Sequence, residues 1–231
     1  MSVIKPTLSI VIPTLNAATH VGELLEALRV AGDLSLAQIL VVDGGSEDDT
    51  CKIARAYGAE VISAQRGRGC QLIAGAVAAS GEWLLFLHAD TRLASEWSRV
   101  VSDFVSDEAN ADLAAAFRFR LDDDTAAARR LECLVAWRCA FFGLPYGDQG
   151  LLICRARYEE IGGYRPLAFL EDVDLVRRQG RRRITMLNAV ATTWSVRYRR
   201  NGYIRQALRN ILLVILFFAG VAPDRLSRFY R

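Results

Sequence analysis

The sequence lacks the features that mark several large classes of protein. Its five cysteines are an odd number without Cys-X-X-Cys spacing, so the 231-residue chain shows the pattern of neither a disulfide framework nor a zinc site. No GxGxxG follows the first apolar run and no GxxxxGK[ST] occurs, which argues against a dinucleotide enzyme and a P-loop NTPase. The N-terminal segment has neither the length nor the cleavage site of a signal peptide. We therefore expect a protein of the reducing cytoplasm.

Apolar runs long enough to cross a membrane are also lacking. A predicted C-terminal helix, Gly202–Ala222, contains the unbroken apolar run Ile211–Phe218, which is too short to span a bilayer. With Arg205 and Arg209 just ahead, a buried core helix and an interfacial helix both stay open. From Arg177 onward the chain has thirteen arginines and a single acidic residue. This asymmetry points to a region that faces phosphates, of a ligand or of a lipid surface at the inner face of the membrane.

The sequence does contain enough apolar residues, 52%, to build a sizeable core. In the first ninety residues, four short apolar strands alternate with three helices. Such alternation predicts right-handed βαβ units and a mainly parallel, Rossmann-like sheet flanked by helices. The predicted strands are Leu8–Ile12, Ile39–Val42, Ala59–Ala64 and Trp83–Leu87, and the helices are Val21–Val30, one ending near Tyr57, and Cys70–Ala79.

Beyond Thr91 the alternation is looser. Three neighbouring acids, Asp122–Asp124, favour a solvated helix N-terminus over a metal site, and the bulky apolar residues Trp137, Phe141 and Phe142 favour the core. We see no repeat and no linker, so we expect one domain over residues 1–231. The further predicted elements are helices at Ser95–Asp107, Thr125–Phe142, ahead of Gly162 and from Phe169, and strands at Ala111–Leu121, Leu151–Cys154, Ile184–Leu187 and Ala191–Val196.

Acidic or glycine-rich residues follow the apolar runs at four places. They are Asp43–Ser46, His88–Asp90, Gly147–Gly150 and Glu171–Asp172. In an open α/β sheet, ligands bind beyond the carboxyl ends of the strands, so Asp90, at the end of the stretch GEWLLFLHADT, is the first carboxylate expected to contact a ligand. Helix caps, turns and favourable charges in a first helical turn remain alternative explanations.

The order and spacing of these four segments, with Ile12-Pro13-Thr14 in front, resemble the family 2 inverting glycosyltransferases of the GT-A fold. The resemblance covers nearly the whole chain and is strongest to short stand-alone bacterial members that share LHADT, YGDQG and FLEDVDL segments. It implies transfer of a sugar from a nucleotide-diphosphate sugar, UDP-linked by expectation, to an acceptor hydroxyl. Arg181–Arg183 after Gln179 lacks the QXXRW pattern of processive synthases, which favours transfer of a single sugar.

The resemblance assigns donor binding to residues of about 1–92, the nucleotide-sugar-binding half. Asp43 would accept from the base, and Arg66 and Arg68 would meet the diphosphate. Asp90 matches the last position of the family's Asp-X-Asp motif, which implies a divalent cation, Mn²⁺ or Mg²⁺. His88 takes the first position and is a second metal ligand, a ribose contact or a packing residue. The residues implied in donor binding are Pro13, Thr14, Asn16, Asp43, Gly44, Arg66, Arg68, His88, Ala89 and Asp90.

The resemblance assigns catalysis and acceptor binding to the acceptor-side half, about 93–200. Inversion needs one general base for the acceptor hydroxyl, and Asp172 matches that position, with Glu171 orienting acceptor or base. Asp148, Gln149 and Gly150 would line the acceptor pocket. The acceptor is a small molecule or a lipid-linked one, the helix at 202–222 is a candidate membrane contact, and no nucleic-acid partner is expected.

Two other functions stay open. A nucleotidyltransferase also uses strand-end acids with Mg²⁺, but it would carry a glycine-rich loop with Arg or Lys after the first strand, where this chain has Pro13-Thr14-Leu15-Asn16. An inactive module that binds a nucleotide sugar or docks on a membrane is made conceivable by His88.

Overall fold

The computed structural model describes residues 6–30, 32 and 34–230. The first five residues, part of the segment expected to lead into the first strand, lie outside these ranges. The strands are β1 Thr7–Thr14, β2 Ser35–Asp43, β3 Glu60–Ser63, β4 Trp83–Phe86, β5 Arg92–Leu93, β6 Ala114–Leu121, β7 Leu151–Cys154 and β8 Ile184–Thr193. The helices are α1 Ala18–Arg29, α2 Thr50–Ala56, α3 Arg68–Ala78, α4 Trp97–Val105, α5 Ala126–Phe142, α6 Arg155–Glu160, α7 Glu171–Gln179, α8 Val196–Asn201, α9 Tyr203–Phe218 and α10 Pro223–Tyr230.

The strands form one mixed sheet in the order β3-β2-β1-β4-β7-β6-β8-β5. The first four pair in parallel, as the alternating pattern predicts. The middle of β1 is apolar because helices cover both faces of the sheet there, and Ile10, Val11 and Ile12 are fully buried. Residues of α1 and α4 pack on one side of the sheet, and residues of α3 and α7 pack on the other. The predicted α/β class is confirmed.

The second half of the sheet departs from the predicted boundaries. β7 runs antiparallel to both β4 and β6, whereas β8 runs parallel to β6. The two strands predicted at Ile184–Leu187 and Ala191–Val196 are the single strand β8, and Val196 begins α8. The register between β6 and β8 is irregular near the exposed Asn188, whose polar side chain interrupts the apolar run and suggested a gap.

Two of the three acids before α5, Asp122 and Asp123, are less solvated than expected, whereas the side chain of Asp124 is 95% exposed. The side chain of Thr125 caps α5 by accepting from Ala128 N at 3.3 Å. Asp123 accepts from the hydroxyl of Tyr203 at 2.5 Å, and that hydrogen bond lowers the pKa of the carboxyl to about 2. Asp122 accepts from the backbone N of Ser195 at 2.6 Å. These carboxylates therefore join the end of β6 to the C-terminal helices.

The C-terminal part also differs in detail. The predicted helix at 202–222 ends at Phe218, and the chain turns through Gly220, with φ of 90°, into α10. In the part of the chain that the structure describes, no helix has the length and apolar character needed to cross a membrane.

The expectation that the aromatic residues of α5 belong to the core is wrong. Trp137, Phe141 and Phe142 are each about half exposed, at 52–53%. The helix instead turns a narrow stripe of smaller residues toward β6, β8 and α9, which leaves its bulkiest side chains outside. The buried positions of α5 are Ala128, Leu131, Val135 and Cys139.

Candidate active site

A wide cleft opens at the sheet edge where β1 and β4 end. Its volume of about 1670 Å³ exceeds the roughly 300–1,000 Å³ of a typical small-molecule pocket, so two substrates can fit side by side. The loops after β1, β3 and β4 form one side, and the Gly147–Asp148 turn, the start of α7 and helices α8 and α9 form the other. The site residues named from the sequence that line it are Pro13, Thr14, Asn16, Arg66, Arg68, His88, Ala89, Asp90, Asp148 and Asp172.

The Asp43 turn lies behind the cleft wall. Asp43 is 5% exposed, and its Oδ2 accepts from the backbone N of Gly45 at 2.9 Å and of Ser46 at 2.8 Å. Thr14 Oγ1 donates to the other oxygen at 3.2 Å. Burial raises the pKa of Asp43, but the hydrogen bonds from Ser46, Gly45 and Thr14 outweigh it and hold the pKa below its ordinary value. The charged carboxylate thus stabilises the turn in which it lies.

Asn16 joins this turn to the cleft. It adopts a left-handed conformation, φ 51°, which asparagine tolerates better than most residues. Its backbone N donates to Ser46 Oγ at 2.8 Å, and its Oδ1 accepts from Glu47 N at 2.9 Å. The loops after β1 and β2 are therefore held together by side chain to backbone hydrogen bonds.

Gln71 is a structural element of the site that the sequence reasoning missed. Its Nε2 donates to Thr14 O at 2.7 Å and to Val42 O at 2.8 Å, and the side chain is buried. Gly44 packs against it, since a Cβ there would lie 3.1 Å from the Gln71 amide. A lone amide on the buried face of an alanine-rich helix is the signal that identifies such a clamp. It fixes the ends of β1 and β2 relative to each other.

The basic turn at the start of α3 faces the cleft and is held in place by a buried carboxylate. Arg68 is about half exposed, and its NH1 lies 3.4 Å from Oε1 of Glu171, which is 2% exposed. Gly69 allows close contact with a neighbouring segment, because a Cβ there would lie 2.6 Å from Arg165 O. Burial raises the pKa of Glu171 and Asp172 adds to this, whereas Arg68 opposes it, and the net pKa is raised. Glu171 does not line the main cleft and instead holds Arg68.

Acidic groups converge on the Gly147 turn. Gly147 N donates to Asp172 Oδ2 at 2.5 Å. A Cβ on Gly147 would lie 2.7 Å from His88 Nε2 and 3.1 Å from that carboxylate oxygen. Leu170, just before α7, adopts a left-handed conformation with φ of 61°, a strained arrangement of the kind that clusters at functional sites. The absence of a side chain at position 147 is what lets these groups meet.

Asp148 and His88 have shifted pKa values. Burial raises the pKa of Asp148 to about 6, with Asp172 and Asp90 adding to the effect and Arg138 opposing it. Its Oδ1 is buried and has no hydrogen-bond partner. Burial, and then Arg68, lowers the pKa of His88 well below its ordinary value, so the imidazole is neutral at pH 7.

The donor set suits a divalent cation that shares its ligands with a substrate. Among the described residues, no group of three His, Cys, Asp or Glu side chains is arranged to hold a metal by itself. Mg²⁺ and similar ions are commonly bound by one or two carboxylates together with substrate phosphates. Asp90, the orphan oxygen of Asp148 and the neutral His88 supply such a partial set.

Gln149 does not line the acceptor side of the cleft as the resemblance implied. It is 1% exposed, its Nε2 donates to Phe117 O at 3.0 Å, and its Oε1 accepts from Arg138 NH2 at 3.0 Å. Gly150 has φ of 63°, and a Cβ there would lie 2.8 Å from Leu87. Both residues shape the turn from inside, because the amide needs buried partners and the backbone needs glycine.

Helices α8 and α9 supply a cleft wall to which the sequence assigned no residue. Arg92 lies 4.2 Å above the ring of Trp194, and His20 contacts the same ring at 4.9 Å. The arginine-rich C-terminal sequence was the signal for this wall. Its cleft-lining side chains include Arg197, Arg200, Gln206, Arg209 and Asn210.

The fold and the cleft define an α/β protein with a wide cleft at the carboxyl edge of its parallel strands. Residues 9–161 match the family described as Glycosyl transferase family 2, and the chain belongs to this family. The match ends before Glu171 and Asp172, so these two residues lie outside it. The fold is that of the GT-A glycosyltransferases.

Two kinds of relative illustrate the family. A PGL/p-HBAD biosynthesis glycosyltransferase of Mycobacterium bovis is 34% identical over 119 residues, 47% of this chain and 45% of the relative. The glucosyl-3-phosphoglycerate synthase of Mycobacterium tuberculosis is 30% identical over 93 residues, 36% of this chain and 29% of that protein. Each match thus spans less than half of the curated relative.

Solved structures share the fold. The M. tuberculosis glucosyl-3-phosphoglycerate synthase in complex with Mn²⁺, UDP and glucosyl-3-phosphoglycerate superposes with a TM-score of 0.55 at 21% identity, covering 82% of this chain and 70% of that one. S. aureus TarS in complex with UDP-GlcNAc gives a TM-score of 0.63 at 19% identity, covering 81% and 58%.

Proposed function

We propose that the protein transfers one sugar from a UDP-sugar to an acceptor hydroxyl with inversion at the anomeric carbon. The observation that carries this proposal is the convergence of Asp90, Asp148 and Asp172 on one edge of the cleft, facing Arg68. Family membership supports sugar transfer. The UDP and UDP-GlcNAc complexes of the two structural neighbours support a UDP-linked donor.

The donor would bind along the ends of β1 and β4. Pro13, Thr14 and Asn16 line the cleft where the nucleoside would lie, and the Asp43–Gly44 turn behind them would support base recognition. Arg66 and Arg68 would contact the diphosphate. Arg68 is suited to this because the buried Glu171 orients it while leaving its side chain half exposed.

A divalent cation, Mn²⁺ or Mg²⁺, would be held by Asp90 and His88, with Asp148 close by. Such an ion supplies charge neutralisation for the departing diphosphate. The neutral state of His88 is the one that ligates metals, and Mn²⁺ accepts imidazole more readily than Mg²⁺ does. The Mn²⁺ complex of the mycobacterial synthase supports the involvement of a divalent cation.

Asp172 is the proposed general base. The acceptor oxygen bonds to the anomeric carbon while the bond from that carbon to the diphosphate breaks, and UDP leaves with the electron pair. The proton of the acceptor hydroxyl passes to the Asp172 carboxylate. The Gly147 N–H fixes the orientation of this carboxylate, and each oxygen keeps a lone pair for the substrate.

The experiment compares Asp172→Asn with a control, Asp103→Asn, which alters an exposed carboxylate on α4. Thermal shifts with UDP-glucose and UDP-GlcNAc plus Mn²⁺ report donor binding, which stabilises by about 2.7 kcal/mol at a hundredfold excess over Kd. UDP release, with water or phosphoglyceric acid as acceptor, reports transfer. We expect Asp172→Asn to keep the thermal shift and to lose about 10²–10⁴-fold in turnover.

Two results would contradict the proposal. Unchanged turnover in Asp172→Asn would remove it as the base. No thermal shift with either UDP-sugar would argue for a donor of another kind and would revive the inactive-module alternative. A nucleotidyltransferase is not favoured, because the chain belongs to the glycosyltransferases.

A further inference from the structure

Helix α9 has two opposite faces of different character. One lines the cleft with Gln206, Arg209, Asn210 and Val214. The other carries apolar side chains at the spacing i, i+4, i+7, i+8, i+11 and i+14, which places them on one side of a helix. These side chains are 41–78% exposed: Ile204, Leu208, Ile211, Leu212, Ile215 and Phe218.

Helix α5 packs against α9 and adds a second apolar surface. In the described stretch Cys133–Phe142, no exposed position carries a charge. Large side chains that are 52–58% exposed dominate it: Leu134, Trp137, Phe141 and Phe142. We call the exposed apolar residues of the two helices together the α5–α9 face. A monomeric protein rarely exposes so many neighbouring large apolar side chains unless they form an interaction surface.

Arginines border this face. Arg181 reaches the C-terminal end of α5, where its Cα lies 2.9 Å from the position of a Cβ on Gly143. Arg177 lies over the ring of Phe218 at 5.2 Å, and Arg205 is exposed at the start of α9. Such a border complements a negatively charged surface, and in a symmetric dimer formed through this face it would bring arginine against arginine.

We propose that the α5–α9 face docks the protein on an anionic lipid bilayer, with α9 lying in the plane of the interface. An amphipathic helix with an apolar face, aromatic residues beside it and arginines at its border has the features of such contacts. Because the opposite face of α9 lines the cleft, docking would hold the cleft one helix diameter, ~10 Å, from the lipid surface. If the proposed sugar transfer is correct, on which this last step rests, the acceptor hydroxyl belongs to a membrane lipid.

Vesicle flotation tests the docking. The protein is mixed with vesicles of phosphatidylcholine alone or with about one third phosphatidylglycerol, and the floating fraction is measured. We expect the protein to float with the anionic vesicles, and the pair Leu208→Ser and Ile215→Ser to lower its partition coefficient at least about tenfold. Val77→Ser, at an 81% exposed position on α3, is the matched control and should float normally.

Charge substitutions test the border separately. Arg177→Gln and Arg181→Gln should each weaken binding to anionic vesicles about fivefold, with little effect on neutral ones. The pair Trp137→Ser and Phe141→Ser gives a second test of the apolar face if the α9 pair fails to fold, as judged by circular dichroism melts.

The outcomes separate docking from catalysis. The docking proposal is overturned if the wild-type protein floats with neither kind of vesicle. Self-association replaces the docking proposal if the wild-type protein does not float, sediments as a dimer in analytical ultracentrifugation, and becomes a monomer when Leu208 and Ile215 are both changed to serine. UDP-sugar thermal shifts are measured without vesicles, so lost donor binding with intact flotation counts against the proposed function alone.

Discussion

Asp148→Asn is expected to stabilise the protein at neutral pH and to leave its stability in acid unchanged. The Asp148 carboxylate has one oxygen that is buried without a hydrogen-bond partner, and it faces the negative charges of Asp172 and Asp90. An amide of the same shape removes the charge without opening a cavity. The variant therefore isolates the cost of holding this carboxylate ionised in the folded protein.

The raised pKa of Asp148 gives both the magnitude and the sign of the expected change in stability. The pKa of Asp148 rises from an ordinary 3.8 to about 6 in the folded state, and this difference corresponds to about 3 kcal/mol. Between these two values the folded protein binds more protons than the unfolded chain, so stability falls as pH rises. The destabilisation is absent below about pH 3.8 and complete above about pH 6 to 7.

Urea unfolding in EDTA at pH 4 and pH 8 measures the effect. The free energy of unfolding of the variant should exceed that of the wild type by up to about 3 kcal/mol at pH 8 and by close to zero at pH 4. Asp103→Asn, at an exposed carboxylate, should show no such difference. A gain that is equal at both pH values, or absent at pH 8, would refute the reasoning. The lowered pKa of Asp43 makes stability rise with pH, which is the opposite trend. Asp43 is present in both proteins, so the difference between variant and wild type removes its contribution.

Two further predictions concern uncharged residues. Gln71→Leu should lower the free energy of unfolding by about 1–3 kcal/mol, because the carbonyls at the ends of β1 and β2 lose their shared donor. Urea unfolding and UDP affinity measure the effect. A change in the free energy of unfolding below about 0.5 kcal/mol would argue against the role of Gln71 as a clamp. Gly147→Ala should lower turnover about a hundredfold, since its Cβ would displace His88 and crowd Asp172. Gly22→Ala in α1, where a Cβ makes only ordinary contacts, is the control, and equal turnover in the two variants would contradict the steric argument.

The first half of the fold was predictable because its signals are local. Each parallel strand there is a short apolar run, and each is followed by polar residues and an amphipathic helix. The edge at which Asp90 lies follows directly, since parallel strands all end at the same side of the sheet. Eight of the ten residues expected to bind the donor therefore line one cleft, and Asp43 and Gly44 lie behind its wall; their roles stay predictions.

The second half depends on contacts that no local pattern encodes. The break predicted within β8 came from Asn188, whose exposure follows from an irregular pairing with β6. Trp137 looked like core because it is large and apolar, yet exposure is decided by which helix face meets the sheet. The family resemblance made Gln149 an acceptor contact, whereas its side chain bonds to buried partners. In each case the side-chain type was known and its surroundings were not.

The long sequence separation of the pairs that β4 makes has a consequence for how the molecule assembles. β1 and β2 pair Thr14 with Asp43, 29 positions apart, whereas β4 and β7 pair Phe86 with Leu151, 65 positions apart. Closing the longer loop costs more chain entropy before any contact rewards it. β4 joins β1 by pairing Val11 with Phe86, 75 positions apart, so its closure cost is similar to that of β7. We therefore expect β1, β2 and β3 to associate first, and β4 and β7 to add afterwards. Asp90 follows β4 and Asp148 precedes β7, so the acidic edge would be completed only in that late step, after the ends of β1 and β2 have met.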